Sequence, residues 1–554
     1  MCMSSNLATA ELVIRNARIY TLEPNKPWVD AVAIRNGQFV ATGSFAEIAP
    51  LIDDATRVLD FAGRIVLPGM IDGHCHAFEG ARAALFELAL SPRDDFDQLI
   101  ERVRAAAAVL PEGQWLKGGG WEGRRLLPVL SHPDALKRFD AATGDCPAVL
   151  RDISCHTLFV NTAAMRAAGI DRNTKVPDHG GIVLDDSGDP VGLLLETASA
   201  LVFEAMPDLS QGEIDLVIRH AGGLFNSCGI TGFAHAVTSA QTMKAFSDAD
   251  RRGELTVRVA TFISTDNLIT PERDGIGPAV IERRHDYASN YVNVDFVKYF
   301  MDGVPGSVTA AFKAPYGPAN GGAQSVAPFY SVEELRDLIL PLDAQGIRVK
   351  IHAIGDLAIT STLDAIEQVR AANGFDGPQH SIAHLAYIDD EDIKRLSSLN
   401  VLADICPPMW FPSSILSGNI QLLGEERGHR CWPVGDILRS GATVTIGSDW
   451  PAIVPSPNPW PGLSALITRE DPWRGHPGVF RPEQAISLEE ALPLYTINAA
   501  RSIGFGDSAG SIETGKAADF IVLDRDIFSI DARDIAGTKV LTTYFAGQPV
   551  YQAE

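Results

Sequence analysis

The sequence predicts an α/β fold: a (β/α)8, TIM-like barrel, with a β-sandwich domain built from both termini and an inserted subdomain after barrel strand one. Three observations predict it. Short strands and turns crowd both ends of the chain, whereas the middle alternates apolar strand segments with helical ones. One connection in that middle, about 150 residues between His76 and Gly229, is far too long for a loop between a strand and a helix.

Strands read at 11–15, 16–22, 31–34, 39–41, 56–60 and 62–66 near the start, and at 517–523, 539–545 and 549–551 near the end. Asn36-Gly37 between two apolar runs is a strong hairpin signal. The economical expectation is one sandwich made of 1–64 and 506–554, with the barrel domain, 65–505, between them. Barrel strands are expected at 65–76, 229–235, 255–263, 293–300, 348–353, 380–384, 401–405 and 443–449. Helical segments at 331–345, 359–371 and 488–503 accompany them. Eight such units suggest a barrel, and a doubly wound sheet is the alternative. The insert, 78–228, carries a helix near 95–110 and Gly-rich strand text at 115–121 and 180–192. Loops that follow barrel strands lie over the active site, so the insert is expected to serve as lid and substrate-recognition element.

Composition narrows the partners. The chain has 554 residues, 46% apolar and 21% charged, with a formal net charge of −24. Such acidity disfavours nucleic acid and anionic membranes. Seven scattered cysteines without a CxxC are not a disulfide framework and suit a reducing, cytoplasmic compartment. Residues 1–10 lack the basic and apolar regions of a signal peptide, and no window has the ~20 apolar residues that span a bilayer. The expected partner is a small-molecule substrate, and a homodimer is the assembly to be tested.

Polar residues collect at one end of the barrel strands. In Pro68-Gly69-Met70-Ile71-Asp72-Gly73-His74-Cys75-His76, the two histidines are two apart and project from the same strand face, with Cys75 on the other. Lys298 ends strand four, with Asp302-Gly303 just after; His352 ends strand five, His384 strand six and Asp449 strand eight. Histidine and carboxylate donors converging at that end suit zinc or a similar divalent metal. Taken singly, Lys298 is also readable as an ion-pair partner of Asp295 or Asp302, and Asp449 as a helix cap.

These motifs, with Gly447-Ser448-Asp449 and Gly515-Lys516-Ala517-Ala518-Asp519, resemble those of the amidohydrolase superfamily in their order. The insert, with 115–121, Cys155-His156 to Asn161 and 181–196, is similar to the branch containing N-substituted formamide deformylase, amidohydrolase family 3. The resemblance implies that His74, His76 and Asp449 hold one metal and that His352 and His384 hold a second. It implies that Lys298 occupies the position often carbamylated by carbon dioxide to bridge the two. One or two ions, zinc first among them, are therefore expected, with Asp449 as the base that activates water. His156 is a further candidate for polarising the substrate carbonyl, or else a structural residue beside Cys155. Three positions depart from the branch: Ala383 stands where Glu is usual, Gln379 where Arg is, and His235 where Asp is common.

Trp121, Phe300, Tyr316, Trp410 and Trp450 lie beside these motifs in sequence and are expected to line a hydrophobic substrate pocket. No phosphate loop or GxSxG elbow competes with the metal reading. The expected function is metal-dependent hydrolysis of an amide-type C–N bond, N-acyl or N-formyl, in a small hydrophobic or aryl-bearing molecule. Hydrolysis of an ester, lactone or C–C bond at the same site is one alternative. A metal-free interaction scaffold is the other.

Overall fold

The computed structural model describes residues 9–265, 275–317 and 324–553. Most of the leader reading at 1–10 therefore lies outside the described residues. Eight parallel strands form one sheet in chain order: Met70–Cys75, Ile230–Thr238, Arg258–Ser264, Val292–Phe300, Arg348–Ala353, His380–His384, Val401–Ile405 and Val444–Ile446. Parallel neighbours throughout, with helices such as Val332–Ala344 and Asp356–Asn373 between them, make a TIM-like barrel. Strand three begins at Arg258, three residues later than the sequence suggests. The expected helix at 488–503 is broken into Leu488–Ala491, a 3₁₀ turn at Leu492–Tyr495 and Ile497–Ser502. Pro493 is the reason, since it cannot supply the backbone N–H that a continuous helix needs.

The barrel closes where its last strand meets its first. Asp449 N–H donates to the His74 carbonyl at 2.7 Å, and Lys350 Nζ donates to the Gly73 carbonyl at 2.7 Å from inside. This approach depends on glycine. A Cβ on Gly447 would lie 2.4 Å from His74 Cβ and 2.5 Å from its backbone nitrogen.

Both chain ends build the β-sandwich. A four-stranded sheet joins Gln38–Gly43, Ala31–Arg35, Leu12–Arg15 and Arg57–Asp60. A six-stranded sheet joins Gln548–Gln552, Val540–Phe545, Phe520–Leu523, Ile65–Pro68, Arg18–Tyr20 and Trp28–Val29. Asn36 and Gly37 have φ of 51° and 73° in the hairpin turn, as the Asn-Gly pair leads one to expect. Ile65–Pro68 belongs to the sandwich sheet, and Gly69 separates it from the first barrel strand. A Cβ at Gly69 would strike Thr231 at 2.2 Å, so the chain can cross here only without one.

Between strands one and two lies a six-stranded mixed sheet in the order Gly180–Leu184, Pro190–Glu196, Thr157–Val160, Ala148–Asp152, Leu116–Trp121, Leu88–Ala89. The helix expected near 95–110 is Phe96–Ala107, capped by Asp95 and Gln98 in a reciprocal box. Trp121, Phe139 and Phe159 are fully buried in a core of the insert's own, with Phe139 stacked on Phe159 at 4.8 Å. Six cysteines in the described residues are free thiols, and no described helix is long and apolar enough to cross a membrane.

Gly447→Ala should cost about 3 kcal/mol or more in chemical denaturation, because the atoms it meets are mostly backbone and cannot yield. Gly212→Ala, on a helix with nothing within 4 Å of the added Cβ, should be neutral or stabilising.

Candidate metal centre

The strand-one histidines and the residue after strand eight meet across the barrel seam. The seam hydrogen bond from Asp449 N–H to His74 O, with another from His76 N–H to the Trp450 carbonyl at 2.8 Å, brings the Asp449 side chain to the two imidazoles. Asp449 Oδ1 lies 3.2 Å from His76 Nε2 and 3.5 Å from His74 Nε2. The ligand atoms of His74, His76 and Asp449 all fall within 4.8 Å of one another, and all three side chains are buried. Asp449 holds this position with φ +59°, a left-handed conformation that a non-glycine residue adopts only under constraint.

Hydrogen bonds select which nitrogen each histidine presents. His74 Nδ1–H donates to Asp404 Oδ2 at 2.8 Å, leaving Nε2 towards Asp449. Asp404 is itself held by Lys350 Nζ at 2.6 Å. His384 Nδ1–H donates to the Cys406 carbonyl at 3.0 Å, which leaves Nε2, and His352 Nε2–H donates to the Gly303 carbonyl at 3.2 Å, which leaves Nδ1. The His352 and His384 rings are 4.4 Å apart, and the His384 ring is 5.2 Å from that of His74. His74, His384 and Cys406 also bring three donor atoms together. The His384 nitrogen 3.5 Å from Cys406 Sγ is the one already bound to the Cys406 carbonyl, so we do not read this group as a separate site.

At His74, His352 and His384 electrostatics favour the neutral imidazole, the form that binds metal. Burial, reinforced by Lys350 and Lys298, holds His74 well below its ordinary pKa. Burial, with His384 and Lys298, does the same to His352. Burial also lowers His384 to about 4, Lys298 adding to it against the pull of Asp449. Burial works against the Asp449 carboxylate, but His76, His384 and Lys298 outweigh it and keep the group below the usual range. Lys298, paired in register with Lys350 and with Nζ 4.8 Å above the Phe300 ring, is lowered to about 8 by burial and by Lys350.

These residues fit a divalent cation. Two buried imidazoles and a carboxylate offer nitrogen and oxygen donors at one point. His352, His384 and Lys298 face the same space from strands four to six.

The insert adds one group to this centre. His156 is buried, its ring 5.5 Å from that of His352, and its Nδ1–H donates to Glu196 Oε2 at 2.6 Å. Burial lowers the His156 pKa, but the Glu196 carboxylate more than reverses this and leaves it above its ordinary value.

The five aromatic candidates are placed differently from one another. Phe300 packs against His352 at 5.3 Å between ring centroids. Trp121 donates its Nε1–H to Leu150 O inside the insert, and Trp410 donates its Nε1–H to Gly462 O and is fully buried. The Tyr316 hydroxyl donates to Ala310 O, and Trp450 packs over Gly80 and against Phe225. At the departures, His235 lies 3.3 Å from buried Glu79 and accepts from Phe78 N–H, while Gln379 donates to Asn400. Cys75 points away from the centre, its Sγ donating to Ala234 O.

The sequence reading did not single out Asp404, Lys350 or Glu196. Lys350 and Asp404 carried one available signal: each sits two residues before a strand-end residue, His352 and Cys406, and so shares its inward face.

A family model described as an amidohydrolase family matches residues 57–551. The chain is 28% identical to N-substituted formamide deformylase of Arthrobacter pascens, over 98% of each chain. It is 29% identical to the putative amidohydrolase YtcJ of Bacillus subtilis, over 96% of this chain and 98% of that one. Among solved structures it is similar to an uncharacterised metal-dependent hydrolase from Pyrococcus horikoshii, with TM-score 0.73 and 22% identity over 94% of this chain and 99% of that one.

Replacing the charged acceptor behind His74 with a neutral one tests the geometry without touching a candidate metal donor. Asp404→Asn should weaken divalent-metal affinity by about 10- to 100-fold, measured by competition with a chelating dye.

Proposed function

The chain belongs to the amidohydrolase family and is a hydrolase of carbon–nitrogen bonds, and from that premise we propose that it cleaves an N-acyl or N-formyl amide of a small, hydrophobic or aryl-bearing molecule. The observation that carries this reading is the buried group of His74, His76 and Asp449 facing His352 and His384 at the barrel mouth. The likeness to N-substituted formamide deformylase supports the choice of bond.

His74, His76 and Asp449 would hold one divalent ion, zinc by their nitrogen and oxygen donors. His352 and His384 would hold a second if Lys298 is carbamylated. The lowered Lys298 pKa, about 8, supports that modification, because the neutral amine is the form that attacks carbon dioxide. When bound, such a cation lowers the pKa of a coordinated water from ~15.7 towards ~7 and polarises the substrate carbonyl. Asp449, kept ionised by its neighbours, accepts a proton from the attacking water and passes it to the departing nitrogen. His156 faces this space from the insert and steadies the charge that develops on the carbonyl oxygen. Phe300 supplies an apolar wall beside His352. The free cysteines suit a cytoplasmic setting.

A panel of aryl-bearing N-formyl, N-acyl, carbamate and ester substrates tests the proposal. We expect turnover of the formyl or acyl amides above the ester; ester turnover alone would contradict the reading. Asp449→Asn should lower kcat by about 10²- to 10⁴-fold with the fold intact by circular dichroism. A fully active variant would remove Asp449 from the role of base.

A further inference from the structure

We propose that Glu196 and Thr309 are positioning residues that clasp the insert to the barrel and aim His156 at the reacting carbonyl, so that the insert is part of the catalytic machinery and not merely a cover. The proposal rests on the role assigned to His156 above.

The clasp has two jaws on one carboxylate. Glu196 Oε2 accepts from His156 Nδ1–H at 2.6 Å, and Oε1 accepts from Thr309 Oγ1–H at 2.6 Å. His156 and Glu196 both belong to the insert, where Thr157 pairs with Leu195 across the antiparallel ladder and Glu196 N–H donates to His156 O at 2.9 Å. Thr309 belongs to the loop after strand four of the barrel. One buried carboxylate therefore spans the two bodies. A second contact, Thr157 Oγ1 to Ser307 Oγ at 3.3 Å, joins the same loop to the insert.

The backbone is shaped for this contact. Glu196 has φ +50° and Cys155, next to His156, has φ +68°. Non-glycine residues hold such conformations only where the surrounding structure sustains them. Gly303 completes the fit: a Cβ there would come within 2.3 Å of Glu196 Oε1 and 2.2 Å of Thr309 Oγ1. The carbonyl of this same Gly303 accepts from His352 Nε2–H at 3.2 Å. The segment that orients His352 is thus the one onto which the insert docks.

The consequence is directional. With Glu196 on Nδ1, the imidazole of His156 presents Nε2, and the ring is fixed against rotation. If Thr309 loses its hydroxyl, Glu196 keeps one partner and loses the other, and His156 becomes free to swing with it. Misalignment should appear in kcat, because the aim matters in the transition state, and little in KM.

The experiment pairs kinetics with a readout that needs no turnover. In the full-length, metal-loaded protein, the His156 Nδ1–H proton held by a carboxylate should give a far-downfield proton resonance, assigned by its loss in His156→Gln. We expect Glu196→Gln to abolish that resonance. We expect Thr309→Val to broaden or shift it, and Thr309→Ser, which keeps the hydroxyl, to restore it. On an amide from the panel, Thr309→Val should lower kcat about 10-fold and Glu196→Gln about 100-fold, with KM within threefold and metal content unchanged. Persistence of the resonance in Glu196→Gln, or kcat within twofold of wild type in both variants, would overturn the proposal. Should no amide be turned over at all, the proposed function fails by itself, and the resonance in the Glu196 and Thr309 variants alone decides whether the clasp exists.

Discussion

The seam between the last and first barrel strands is the contact on which the rest depends. Its hydrogen bond from Asp449 N–H to the His74 carbonyl closes the barrel, and the same residue carries the carboxylate that meets His74 and His76. Closure and site assembly are therefore one event. Gly447 and Gly73 permit it because a side chain at either would collide with the opposite strand. The left-handed φ of Asp449 is the conformational cost of turning its side chain back over the mouth.

Below the mouth lies a layer of charges that supports the one above. Lys350 reaches the Gly73 carbonyl and Asp404, and Asp404 takes the Nδ1–H of His74. Each is buried, and a buried charge left without its partner is costly, by several kcal/mol in general. The pairing thus rigidifies strands one, five and seven and fixes a tautomer together. Lys350 also faces Lys298 across the register of strands four and five, and with burial it lowers the pKa of that lysine.

Much of this was legible from residue order. The strand-end histidines, Lys298 and Asp449 could be placed because strand alternation and barrel topology put strand ends at one face. The β-rich ends likewise announced a domain made by both termini. What escaped the sequence was partnership. Period two turns Lys350 and Asp404 inward, but it does not reveal that they meet past strand six, 54 residues apart in the chain. His156 and Glu196 are 40 residues apart and meet only because the insert pairs Thr157 with Leu195. Aromatic residues near a motif carried the least positional information. Phe300 reaches His352, whereas Trp121 is consumed by the insert's own core.

The central claim is that the paired histidines of strand one and the carboxylate after strand eight form a metal centre. Metal analysis of the purified protein, beside a His74→Asn/His76→Asn variant of unchanged fold, tests it most directly. At least one equivalent of zinc or a similar divalent metal is expected in the wild type, and its loss in the variant. A wild type without bound metal, or a variant that keeps its full complement, would contradict it.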